Sequence, residues 1–212
     1  MPSPETMLYE LGELTMNSVP FAIAWHIVIG IGLVLVAAKR WRPTKRELAL
    51  LLAGPALYVS IRAWIDANPF NGTLFLLFAC ALIVIARRTV MTEWTSPVPR
   101  WAQVIGGLGL IFAWIYPHFN EFPNLLSRLL GSPIGIIPCP TLALIASITL
   151  MAGGFGSRSW VLTVVGMSLF YALFGIFRLG VTLDLGLLLA AIALIPLARR
   201  PQPKPHSQPD LQ

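Results

Sequence analysis

Cys139 stands between two prolines in the stretch "SPIGIIPCPT" (residues 132–141), an apolar run that also carries a third proline and a glycine. A thiol in such a setting raises metal or redox chemistry. Soft metals want two or more sulfur ligands. The order here is Pro-Cys-Pro, with one thiol; the other cysteine, Cys80, lies in the middle of a different apolar block, and no Met or His flanks Cys139. No metal site and no disulfide framework are expected. The second group to weigh is His26, an ionisable residue well inside an apolar block, and intramembrane ionisable groups are functional candidates by default. Neutral histidine is cheap to bury and can bond a serine or carbonyl of a neighbouring helix. Haem ligation would need a partner at matching depth. His118 falls at the end of its block, while His26 lies about 8 residues, or ~12 Å, inside its own, and His206 is in the tail. No cofactor is expected.

The remaining candidates gather at block ends. Arg62 and Asp66 are spaced i,i+4, which suits a local ion pair. Asn68 opens an Asn-Pro turn, Tyr116 precedes Pro117, and Arg178 and Asp184 flank a short turn across which they could pair. One reading is a set of surface pairs. The sharper one places Arg62, Arg178 and Asp184 around an outer vestibule, with residues 132–140 as its wall, Asp66, Asn68, His118 and Cys139 on the same side, and the arginines able to take an anion. No Gly-x-Ser-x-Gly, His-Glu-x-x-His, phosphate-binding loop or nucleotide fingerprint is present, so no enzymatic reading is favoured. The glycine stretches "GGLGL" (106–110) and "GGF" (153–155) read as close-packing positions on membrane helices.

The elements that must position these residues follow from composition. The chain is 56% hydrophobic and 11% charged, against roughly a quarter charged for soluble domains. Its apolar residues fall in blocks of the length that spans a bilayer. The expected fold is an all-α polytopic bundle of about seven transmembrane helices: 19–38, 48–65 (kinked at Gly54-Pro55), 73–86, 101–116, 140–153, 160–177 and 183–198. Residues 1–18, with Met7, Leu8, Leu11 and Leu14 at helical spacing, form an amphipathic helix in the interface. Residues 199–212 are a proline-rich polar tail, expected to be disordered and cytoplasmic. Glu5, Glu10 and Glu13 stand where a cleavable leader would need basic residues, so no leader is expected.

The fifth block is short, ~21 Å against a ~30 Å hydrocarbon core, so charge decides the count. With seven crossings and the N-terminus outside, Lys39, Arg40, Arg42, Lys45, Arg46, Arg87, Arg88, Arg100, Arg158, Arg199, Arg200 and Lys204 lie inside; Arg62, Arg128 and Arg178 lie outside. That is 12 against 3; without the fifth crossing it becomes 9 against 6. The positive-inside rule therefore favours seven and an inner (cytoplasmic) membrane location. It also accounts for the pI near 9.9 without nucleic acid. The expected partners are the lipid bilayer and other membrane subunits or further copies of the chain.

Residues before proline are pushed toward extended backbone, so "SPIGIIPCP" is expected to run extended, with Pro138 and Pro140 starting the fifth helix. Backbone of that kind at membrane depth must be buried in protein or line a wet cavity.

"IYPHF" (115–119) followed by "SPIGIIPCPT" and an apolar helix resembles the bacterial membrane proteins catalogued as domain of unknown function 6064. "YVSIRAWIDANPFNGTLF" (58–75) and "ALFGIFRLGVTLDLGLLLA" (172–190) are similar to further parts of that family. Carried over by position, the motif residues are Asn68, Pro69, Tyr116, Pro117, Pro138, Cys139, Pro140 and Asp184. Arg62 and Asp66 depart from the more aromatic family pattern. The resemblance implies the multi-pass architecture and no particular activity. The leading functional expectation is a small-molecule or ion binding or transport protein with an outward polar pocket; the alternative is a non-catalytic accessory or scaffold subunit of a membrane complex.

Overall fold

The computed structural model describes residues 3–89, 91–92, 98–116 and 129–199. His118 and the tail beyond residue 199 lie outside the described residues. Among the described residues the fold is all-helical, with no strand. The helices are α1 (Pro4–Asn17), α2 (Val19–Ala37), α3 (Lys45–Ile65), α4 (Pro69–Arg87), α5 (Arg100–Ile115), α6 (Pro138–Met151), α7 (Arg158–Leu179) and α8 (Asp184–Ala198). Four of them, α2, α3, α4 and α7, are long and apolar enough to cross a membrane. The apolar helices α5, α6 and α8 are shorter, at 16, 14 and 15 residues.

Local chemistry sets where the helices begin. The Ser3 hydroxyl accepts from the Thr6 amide at the start of α1. Thr44 and Glu47 form a reciprocal capping box at α3, which satisfies two otherwise unpartnered groups. The Asn68 side chain accepts from the Asn71 amide and Pro69 takes the first position of α4, where a proline's missing N–H is harmless. Ser157 caps α7 through the Trp160 amide.

Helix α6 is the centre of the bundle. Pro138, Pro140 and all residues from Thr141 to Leu150 except Ile148 are buried, as expected of a helix apolar all round. Its hydroxyls are satisfied within the helix: Thr141, Ser147 and Thr149 donate to the carbonyls four residues earlier at 2.7, 2.6 and 2.7 Å. Helix α5 packs on it through Gly106, where a Cβ would stand 2.7 Å from the Ser147 carbonyl oxygen, so the close-packing reading of "GGLGL" holds there. The reading of "GGF" does not. Gly153, Gly154, Phe155 and Gly156 all have positive φ and form the left-handed turn between α6 and α7. Phe155, fully buried, is locked edge-on against Trp160 at 5.0 Å.

The helix ends sort into two groups. At one end the Lys45 amide donates to the Thr92 carbonyl at 2.8 Å, Val98 lies against Gly153, and Leu197 against Gly154. The chain neighbours of these residues include Arg46, Arg100, Arg158 and Arg199, so the basic segments cluster. At the opposite end lie the first turns of α6 and α8 and the last turn of α5.

Candidate functional site

The "SPIGII" stretch is not extended throughout. The Ile136 and Ile137 amides both donate to the Pro133 carbonyl at 3.0 Å. Gly135, with φ of 79°, turns the chain, and its amide donates to the Thr141 hydroxyl at 2.8 Å. That hydroxyl, four residues into α6, makes the turn the better solution. Ile137, ahead of Pro138, keeps extended geometry (φ −106°, ψ 144°), as pre-proline sterics require. Residues 131–138 are buried throughout, so this irregular backbone is enclosed by protein rather than lipid.

Helix α6 begins at that depth. A helix leaves its first amides without intrahelical partners. Pro138 and Pro140 carry none, so Cys139 supplies the single N–H of the first three residues. The Cys139 thiol reaches Asp184 Oδ2 at 3.5 Å.

Asp184 is 1% exposed and opens α8. Its other oxygen, Oδ1, accepts from the Tyr116 hydroxyl at 2.6 Å, the short distance of a charge-assisted bond. Tyr116 directly precedes Pro117 in sequence and its backbone leaves the helix (ψ 98°), which swings the phenol toward α8. Phe112 packs edge-on to Tyr116 at 5.4 Å and covers Gly186, sealing the bond from one side. On the other side lies Gly175 of α7, where a Cβ would overlap the Asp184 carboxylate. The short α7–α8 turn creates this approach: Gly180 adopts φ of 70°, and the Gly180 and Val181 amides both return to the Gly175 carbonyl.

Buried carboxylates persist only when charge and lone pairs are compensated. Here a phenol and a thiol donate, and the N-termini of α6 and α8 converge, each presenting the positive end of its dipole. The arrangement can hold a proton, or accept a cation in place of a donor.

No family model, curated protein or solved structure matches this chain.

The other sequence-derived candidates among the described residues lie on α2, α3, α4 and α7 or at their ends. Arg62 and Asp66 form the expected ion pair at 3.1 Å, with side chains 19% and 34% exposed. Asn68 is the α4 cap, and its neighbour Asn71 accepts from the Tyr171 hydroxyl at 2.8 Å, tying α4 to α7. Arg178 lies in the last turn of α7, near α1. The Glu5 carboxyl is held below its usual range by its own backbone amide, then by Ser3, with a smaller contribution from Arg178. His26 is buried, its Nδ1 donating to the Ala22 carbonyl at 2.6 Å, and its ring stands edge-on to Trp114 at 4.7 Å. Among the described residues no group of three His, Cys, Asp or Glu converges as a metal site.

Sequence reasoning singled out Tyr116, Cys139 and Asp184, which the structure brings together. It missed Gly175 and the Tyr171–Asn71 link. The signal for Gly175 was available: a glycine late in one helix, a glycine-containing turn, and an acid opening the next helix.

Proposed function

We propose that this chain is an integral membrane protein of seven crossings that binds, and moves across the bilayer, a proton or a small cation at Asp184. The observation that carries the reading is a fully buried carboxylate, held by Tyr116 at 2.6 Å, at the end of an apolar bundle. Ionisable groups at such depth mark ion and proton pathways in membrane proteins. A cation suits the site better than the anion suggested by the arginines, because Arg62 is engaged with Asp66 and the deepest group is acidic.

The seven-crossing reading takes α5, α6 and α8 as spans beside the four longer helices. It is supported by the 12-to-3 division of basic residues; on this reading the basic end is cytoplasmic, the N-terminus is outside, and Asp184 lies toward the outer face of the inner membrane. The likeness to the domain-of-unknown-function family rests on Tyr116, Cys139 and Asp184 among other positions, and a shared site there is part of this proposal.

Proteoliposomes containing a pH-sensitive dye test it, alongside uptake of labelled methylammonium and sodium. The wild type is expected to conduct at least one of the three, and Asp184→Asn to abolish it. Equal traces for wild type, Asp184→Asn and empty vesicles would reject the transport reading. Co-purification of a stoichiometric membrane partner with no flux would favour the accessory-subunit role instead.

A further inference from the structure

Helix α2 is attached to the bundle unevenly. Near its start, Phe21 stacks on Tyr58 at 3.7 Å, Trp25 covers Gly54 and Gly135, and His26 meets Trp114. Beyond Val28 the helix stands off; only 11% of its span is buried. The gap between this second half and α3, α5 and α6 is a groove of about 530 Å³, in the ~300–1,000 Å³ range of small-molecule sites. Val28, Gly32, Leu52, Leu144 and Ile148 line it. Val28 and Leu51 at its rim are 59% and 52% exposed, so it opens sideways, where this chain faces lipid.

The groove ends at Trp41, whose ring lies on Gly32. The segment beyond α2 is folded back over that end: Lys39 takes a left-handed turn (φ 56°), and the Arg40 and Trp41 amides both donate to the Leu35 carbonyl at 3.0 and 3.1 Å. Lys39, Arg40, Lys45 and Arg46 belong to this segment or follow it directly, beside the lining residues Trp41, Pro43 and Leu48. Among the described residues of this segment the acid is Glu47, whose carboxylate accepts from the Thr44 amide and hydroxyl at 2.7 and 2.9 Å.

An apolar groove that terminates in a tryptophan and a basic segment has the chemistry of an anionic phospholipid site: chain in the groove, phosphate on the cations. We infer that one anionic phospholipid occupies it as a bound ligand. This site is separate from Asp184 and does not depend on transport.

Delipidated full-length protein in mild detergent, titrated with phosphatidylglycerol or phosphatidylcholine of identical chains and followed by native mass spectrometry, tests the inference. The wild type is expected to retain one phosphatidylglycerol in preference to phosphatidylcholine. Arg40→Gln/Arg46→Gln should weaken phosphatidylglycerol retention about tenfold or more and leave phosphatidylcholine unchanged. Gly32→Leu, whose Cβ would make ordinary contact with Trp41 and whose bulk enters the groove, should weaken both. Equal retention of the two lipids by the wild type overturns the inference. So does undiminished binding by both variants, or a second copy of the chain or another subunit found cross-linked to residue 28 or 51. The charge variant lies at the surface, so the test stands even if Gly32→Leu fails to fold.

Discussion

The Tyr116 hydroxyl donates to Asp184 Oδ1 at 2.6 Å, joining residues 68 positions apart. Removing one partner of a buried bond leaves the other undersatisfied, which costs more than the bond itself contributes. Tyr116→Phe is therefore expected to destabilise the protein by about 1–3 kcal/mol, visible as a lower Tm in detergent. Asp184→Asn, which still accepts from the phenol, should lose less stability than Tyr116→Phe while losing flux. Wild-type stability in Tyr116→Phe would contradict this account.

Gly175 and Gly166 make a controlled pair on α7. A Cβ at Gly175 would overlap the Asp184 carboxylate, whereas at Gly166 it would meet nothing within 4 Å. Gly175→Ala should lower the Tm and impair any activity at Asp184. Gly166→Ala should be neutral or stabilising by up to about 1 kcal/mol, because alanine loses less backbone entropy in a helix. Matching effects at the two sites would refute the close approach as the reason for Gly175.

The capping box at α3 offers a local test. Thr44 and Glu47 exchange hydrogen bonds, so Thr44→Ala should cost about 1 kcal/mol. The loss should register as faster amide exchange in residues 45–48 and leave α7 and α8 unaffected. Uniform exchange throughout the bundle would show that the cap does not act locally.

Sidedness is checked by membrane-impermeant maleimide on intact cells, with the native cysteines replaced by serine. Cysteines introduced at Arg88 and Arg158 should be protected together, and one at Ala67 should react. Reaction at Arg158 with protection at Arg88 would remove the crossing assigned to α6.

Apolar block length located every helix from α2 to α8, and the departures have local causes. Helix α4 begins at Pro69 rather than Thr73, because Asn68 caps it and proline opens it, signals that hydropathy ignores. The "SPIGIIPCP" stretch (132–140) was expected to be extended because proline sterics were weighed without the Thr141 hydroxyl, which favours the turn at Gly135. "GGF" read as helix packing because glycine composition is the same in a packed helix and a left-handed turn. At the site, Cys139 and Asp184 could be named as polar residues at block ends, and Tyr116 through the Tyr-Pro element of the family resemblance. Their meeting could not be read from sequence, since it depends on how α5, α6 and α8 splay around one another. The Arg62–Asp66 pair was legible because i,i+4 spacing decides it without tertiary information.

The two prolines that open α6 have an effect beyond shaping its first turn. By deleting amides that would otherwise call for solvation, they allow the enclosed start of that helix to stay dehydrated beside Asp184. Pro140→Ala would restore an N–H in need of a partner at that depth, and the first molecules recruited to satisfy it would be water.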